Sequence, residues 1–386
     1  MYSGKLKKVV FIINSIKNLM KISPIMDKIS RYYDTLEPII IYTGKPVSKQ
    51  EAAYFFEYLS LPAPNLILNI RPGEQAETTA NVMIETEKTF AEINPDLVVV
   101  VGGSAAALGA SITAARRGIK IAHIEAGLRC PGTYSATDVN RKLVDSITDL
   151  FFVTDGISHG NMLAEGIGED RIFFVGNLMI DTLKKYITFA KDSKIQEKLG
   201  LVPKMYAVLS LHRKANTHFY DPLNGILSAA KQISRNIPVV FACHKRVRDD
   251  IKEFGLTHYF DDKRLIMYVE TKYPDILALE RDALFMMTDS GTMQVESSAL
   301  GIPCLTLRQN TEWIATVKEG TNTIVGSFPE KIIASAEIIL DNKHKPGGVP
   351  KYWDGHTAER IVEIISKSLP YDDPSTRKIK TTSINE

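Results

Sequence analysis

The sequence predicts an α/β protein built from two doubly wound, Rossmann-like parallel-sheet domains. Three observations carry that reading. Short β-branched apolar runs recur without polar alternation, as in "DLVVVVGG" (96–103), the pattern of strands covered on both faces. Stretches of helical period separate them, for instance residues 77–93 and 104–117. Finally, 386 residues exceed one ordinary core. The strand–helix rhythm stops at a polar, Lys-rich stretch (188–204) and then restarts.

Taken in order, the first unit has strand candidates "KVVFIIN", "EPIIIYTG", "DLVVVVGG", "IKIAHIEAG", "DLFFVTD" and "RIFFVGN". The second repeats the architecture with "YAVLSLHR", "IPVVFACHK", "RLIMYVE", "ALFMMTDSG" and "IPCLTLR". The expected domains are therefore 1–187 and 188–364, the second binding the nucleotide. A last helical pattern begins at 356 and is expected to pack back on the first domain over 365–375. A loose tail follows at 371–386. Two such domains facing each other leave a cleft at the C-terminal ends of both sheets, where open α/β sheets bind ligands.

Composition excludes several classes. A net charge of +2, without a dense Lys/Arg run, gives no nucleic-acid footprint. No apolar stretch approaches the ~20 residues of a membrane span, and the apolar run near the N-terminus is too short for a signal peptide. Cys130, Cys243 and Cys304 lie far apart, with neither metal-ligand nor disulfide spacing. Free thiols in a cytoplasmic protein without a metal are the expectation.

Four stretches are able to carry chemistry. In "MMTDSGTMQVESSALGIP" (286–303) a strand ends, Asp289-Ser290-Gly291 turns, and a helix starts at once. Backbone N–H groups at such a start suit a diphosphate, with Glu296 placed for a ribose diol, while an ordinary Asp or Ser N-cap explains the same residues without a ligand. "LSLHRKANT" (209–217) ends a strand on His212 and Arg213, placed for anionic oxygens or proton transfer; a structural His is the alternative. "HIEAGLRC" (123–130) puts the carboxylate of Glu125 at the end of an apolar strand, with Asp138 across a Gly/Ser/Thr loop. Paired carboxylates suit acid/base work, and a buried ion pair of Glu125 with Arg129 or Arg141 is the competing account. In "INSIKNLMKISPIM" (13–26), Lys17 and Lys21 open a helix and either neutralise phosphate or belong to a solvated face.

Together these stretches resemble the non-hydrolysing UDP-N-acetylglucosamine 2-epimerase family. "HIEAGLR", "NRKLVDSITDLFFVTD", "RIFFVGNLMIDTL", "TDSGTMQVESSALGIPCLTLRQNTEW" and "WDGHTAERIVEII" follow that family's motifs in order over about 1–370. The resemblance implies a glycosyltransferase-B-like pair of domains around a UDP-sugar. The implied reaction interconverts UDP-GlcNAc and UDP-ManNAc by elimination of UDP to an unsaturated glycal and re-addition. It implies no metal or redox cofactor, and a homodimer. By resemblance Ser290, Gly291 and Thr292 cradle phosphates, Glu296 holds the ribose, and Lys21 and His212 meet the substrate or its diphosphate; Lys17, Arg213 and Trp313 are further substrate-binding candidates. Glu125, Asp138 and His212 are the acid/base candidates.

The chain departs from the pattern at Ile16, where the family has Arg, at Gly103 for Asp, at Thr137 for Glu, and at Trp313 for Arg. Two further readings therefore stand beside the epimerase. One is a glycosyltransferase of the same fold using another nucleotide sugar, with Trp313 stacking on a sugar or acceptor. The other is a catalytically inactive UDP-sugar-binding partner.

Overall fold

The structure is a computed structural model that describes residues 6–369, apart from 33, 46–47, 72, 133–134, 262 and 270–271. The tail expected at 371–386 lies outside the described residues. Two parallel sheets form the frame. The first holds β1 (Lys7–Ile13), β2 (Leu36–Tyr42), β3 (Leu66–Ile67), β4 (Leu97–Val101), β5 (Lys120–Ala126), β6 (Leu150–Val153) and β7 (Ile172–Phe174) in the order 3-2-1-4-5-6-7. The second holds β8 (Ala207–Ser210), β9 (Val239–Ala242), β10 (Leu265–Tyr268), β11 (Phe285–Thr288), β12 (Cys304–Thr306) and β13 (Asn322–Ile324) in the order 10-9-8-11-12-13. Both sheets wind outward in two directions, so each has a switch point, between β1 and β4 in one and between β8 and β11 in the other. This is the glycosyltransferase-B-like pair of Rossmann-type domains.

The apolar runs become central strands because helices cover both sheet faces. Val9 to Ile13 and the whole of β4 are buried. The helices that concern the site are α1 (Ile16–Ile29), α2 (Ala105–Arg116), α3 (Ala136–Ser146), α4 (Leu178–Lys191), α5 (Tyr273–Asp282), α6 (Gly291–Ala299) and α7 (Thr357–Ser368). Ser15, Ser104 and Ser135 cap α1, α2 and α3, each side chain accepting a backbone N–H of the first turn.

The domain bounds need correction. The 187/188 boundary falls inside α4, which packs on α1 and α7 on one side and on α5 and α6 on the other. Nor does the second unit run to 364. Trp353 donates its indole N–H to the carbonyl of Thr154 (2.9 Å), and Asp181 accepts the N–H groups of Thr357 and Ala358, so the chain has already returned to the first domain. The returning helix is α7, ending at Ser368, rather than one at 365–375. A continuous apolar core, including Leu19, Tyr186, Leu277 and Ile361, runs through these helices and joins the two units.

Candidate functional site

The two switch points face each other across a cavity of about 420 Å³. From the first domain α1 brings Lys17 and Lys21, the β4–α2 turn brings Gly102 and Gly103, and β5 brings Glu125. From the second come His212 and Arg213 after β8, and Ser290, Gly291 and Thr292 after β11.

Glu125 is buried, with φ +67°, a left-handed conformation rare for a side chain of this size. The register of β5 against β6 shifts between Ile124 and Ala126, so a bulge turns Glu125 into the cleft. Its partner is Lys21, whose ammonium donates to Oε1 at 2.6 Å. The pairings with Arg129 or Arg141 do not form. Arg129 bonds Asp145 and Glu165, and Asp145 also meets the Nδ1 of His123 at 2.6 Å. A second, fully structural ion cluster thus anchors the strand end and leaves Glu125 to the cavity.

On the opposite wall Asp289, fully buried, accepts the backbone N–H groups of His212 (2.8 Å) and Arg213 (3.1 Å) and the amide of Asn216 (2.9 Å). Burial raises its pKa, and those three donors work against the rise. Asp289 therefore pins the post-β8 loop to the post-β11 turn and does not cap α6. Ser290 occupies the cap position, and its side chain makes no capping bond either. The N-cap account fails here, and the first amides of α6 face the cavity without a side-chain acceptor.

His212 is open to cleft solvent yet ringed by protein. Burial, then Lys17, His244 and Arg246, hold its imidazole below its ordinary pKa, with the open face moderating the shift. The ring is neutral at pH 7, and Ser210 Oγ lies 3.1 Å from its Nε2. Lys17, at the cleft mouth, is also lowered, by burial first, while Glu296 and Asp289 pull the other way.

Two predicted residues sit elsewhere. Asp138 faces an adjoining cavity, where its Oδ1 accepts the N–H of Cys130 at 3.1 Å, instead of the cavity of Glu125. Glu296 lies beneath α6, where Tyr273 donates its phenol O–H to Oε1 at 2.7 Å. Burial pushes Glu296 up to about 7, against the pull of Tyr273 and Lys17, and neighbouring Glu280 is buried beside it. Packing on α5 turns Glu296 inward and away from the cavity lining.

Sequence reasoning missed Arg141, Glu312 and the pinning role of Asp289. Arg141 entered that reasoning only as a possible ion-pair partner of Glu125. Glu312, between Arg308 (2.8 Å) and Arg213 (3.4 Å), is pushed up by burial but held below the usual carboxylate range by those guanidinium groups. Two positions expected to differ from the family pattern, Gly103 and Trp313, also acquire geometry. A Cβ at Gly103 meets the carbonyl oxygen of Thr137 at 2.1 Å, so α3 occupies the space of any side chain there. Trp313 is buried with Leu128, Met179 and Val295, and a Cβ at Gly291 meets its Nε1 at 2.6 Å. It is a wall of the cleft that joins the domains. Among the described residues no three His, Cys, Asp or Glu side chains are grouped to hold a metal, and no helix is long and apolar enough to cross a membrane.

A two-domain α/β protein with facing switch points, amides aimed into the cleft from one side and a buried Lys–Glu pair from the other, belongs to the class that handles nucleotide sugars. The model of the UDP-N-acetylglucosamine 2-epimerase family matches residues 29–366, and this chain belongs to that family. It is 34% identical over 365 residues to the UDP-N-acetylglucosamine 2-epimerase of Methanocaldococcus jannaschii, covering 93% of this chain and 99% of the relative. It is 31% identical over 364 residues to a UDP-2,3-diacetamido-2,3-dideoxy-D-glucuronate 2-epimerase of Pseudomonas aeruginosa, covering 93% and 99%. The crystal structure of the M. jannaschii enzyme in complex with UDP-GlcNAc and UDP is similar, with TM-score 0.83 at 33% identity, over 93% of this chain and 99% of that one.

Proposed function

We propose that this chain is a UDP-N-acetylhexosamine 2-epimerase that works by elimination and re-addition of UDP. The observation that carries the reading is the meeting, in one cavity, of the uncapped start of α6 with the Lys21–Glu125 pair. The diphosphate lies on the amides of Gly291 and Thr292 and on the hydroxyl of Ser290, whose own amide is held by the Thr288 hydroxyl, with Lys17 neutralising charge. Arg213 and Trp313 close the wall around it. Glu296 reaches the ribose only after giving up Tyr273. The hexose then lies towards Glu125.

Elimination takes the C2 hydrogen as a proton and breaks the C1–O bond to the β-phosphate. The C–H electron pair becomes the C1=C2 bond, and the other pair leaves with UDP. Re-addition returns the proton to the opposite face of C2. Glu125, oriented by Lys21, carries the proton on one face of the ring, and His212, on the other wall of the cavity, serves the opposite face. Neutral His212 accepts or donates a hydrogen bond without adding charge. Asp138 has no part in this assignment. Preorganised amides supply their stabilisation where negative charge gathers on the leaving diphosphate.

Incubation of purified protein with UDP-GlcNAc, followed by NMR, tests the reading. UDP-ManNAc, with a trace of UDP, is expected. Intact UDP-GlcNAc, with UDP still bound in the cleft, would sink the epimerase claim, and UDP release only in the presence of an acceptor would mark a transferase instead. Light scattering checks the homodimer that accompanies this reading.

A further inference from the structure

A second cavity of about 410 Å³ adjoins the first and shares Thr137, Arg141, Arg213 and Glu312 with it. It extends between the start of α3 and the loop after β12, to Arg308 and Asn310. Among its described lining residues the charged groups are Arg141, Arg213, Arg308, Asp138 and Glu312, three cations against two anions.

The pairing inside is uneven. Glu312 is clamped by Arg308 and Arg213. Asp138 lies 3.8 Å from Arg141, and the same Oδ1 already accepts the N–H of Cys130. The Arg141 side chain is 7% exposed, and its Nε finds no hydrogen-bond partner among the described residues. An under-paired guanidinium this deeply buried is costly unless an anion joins it. Guanidinium groups match planar, two-oxygen acceptors. The excess is one positive charge, which a monoanionic carboxylate balances and a phosphate dianion overshoots.

Resting on the nucleotide-sugar reading above, we infer that this second cavity receives a carboxylate carried by the hexose, with Arg141 and Arg308 as its partners. The substrate class is then a nucleoside-diphosphate uronic acid. The group sits on the hexose because the cavity opens into the sugar side of the cleft at Thr137 and Arg141, beside Gly103 and Glu125. Asn310 adds a polar side chain at the far wall.

Calorimetry on the full-length protein tests this with UDP, UDP-N-acetylglucosamine, UDP-N-acetylglucosaminuronic acid and free glucuronate. The uronic acid nucleotide is expected to bind about tenfold or more tighter than UDP-N-acetylglucosamine, the size of one charge-assisted hydrogen-bonded pair. Arg308→Gln is expected to erase that advantage while UDP affinity stays within about twofold, and Arg141→Gln to shrink it likewise. Equal or weaker binding of the uronic acid nucleotide to the unaltered protein overturns the inference without recourse to any variant. Glucuronate binding equally well without nucleotide marks a site for free anions and also overturns it. If UDP itself does not bind, the nucleotide-sugar reading falls first; if UDP and UDP-N-acetylglucosamine bind and the uronic acid gains nothing, this inference alone falls.

Discussion

The two walls of the cleft are built on different principles. In the second domain the cleft wall is the uncapped start of α6 beside His212 and Arg213, and one buried carboxylate, Asp289, pins the two loops together. In the first domain the ligand-facing groups are charged side chains. They stand on a bulged strand with Glu125 at φ +67° and on the face of α1. Amides survive nearly any substitution at their own positions, whereas a side-chain site changes with every replacement. In this chain Gly103 and Thr137 meet each other on the first-domain side, where a Cβ at Gly103 would strike the Thr137 carbonyl oxygen.

The widest break between the walls is expected from Glu125→Gln. Loss of one proton carrier costs about 10²–10⁴ in kcat, while UDP affinity, set by the other wall, stays within about threefold. Turnover assays beside calorimetry check it, and a parallel loss of UDP binding would erase the division of labour.

Asp289→Ala attacks the opposite wall. Three donors, that of Asn216 buried, lose their acceptor, so about 2–4 kcal/mol of stability and at least tenfold in UDP affinity are expected to go. Urea denaturation and calorimetry measure the two effects.

Gly103→Ala sharpens the contrast within the first domain. The new Cβ must displace the carbonyl of Thr137, which overpacking puts at about 1–3 kcal/mol, read as a lower Tm with UDP affinity preserved.

The smallest effect concerns the inward-turned pair behind α6. Burial, then the charge of Glu296, holds Glu280 well above the usual carboxylate range. Glu296 itself is raised from 4.5 to about 7. Folded values above unfolded ones mean that the folded state holds the extra protons. Stability is full below about pH 4.5 and is lost as pH rises towards about 7. Glu280→Gln is expected to raise Tm by a few degrees at pH 8 and hardly at all at pH 4.5, as measured by thermal melts. Equal shifts at both pH values would remove the pair from the account.

Much of this was readable before any coordinates. The continuous apolar runs became central strands because such runs survive only where both faces are covered. The edge strands β3 and β13 escaped notice because they span only Leu66–Ile67 and Asn322–Ile324, with much of that short length exposed. The domain boundary was misplaced because a polar helix surface near Lys191 looks the same whether it links domains or ends one. Nine of the candidate site residues share the first cavity. Asp138 and Glu296 do not, because a carboxylate's direction depends on which neighbours offer it a donor, here Cys130 and Tyr273.

By itself the sequence determined the two parallel sheets, the turn at Asp289-Ser290-Gly291 and the family, since each rests on local apolar rhythm or on runs of adjacent letters. Only the tertiary structure decided that Glu125 answers to Lys21, that Asp289 serves a loop 76 residues away instead of its own helix, and that Arg141 is left under-paired beside a second cavity. Those outcomes depend on distances between segments remote in the chain. Charge pairing is settled there by burial and geometry, which no local pattern encodes.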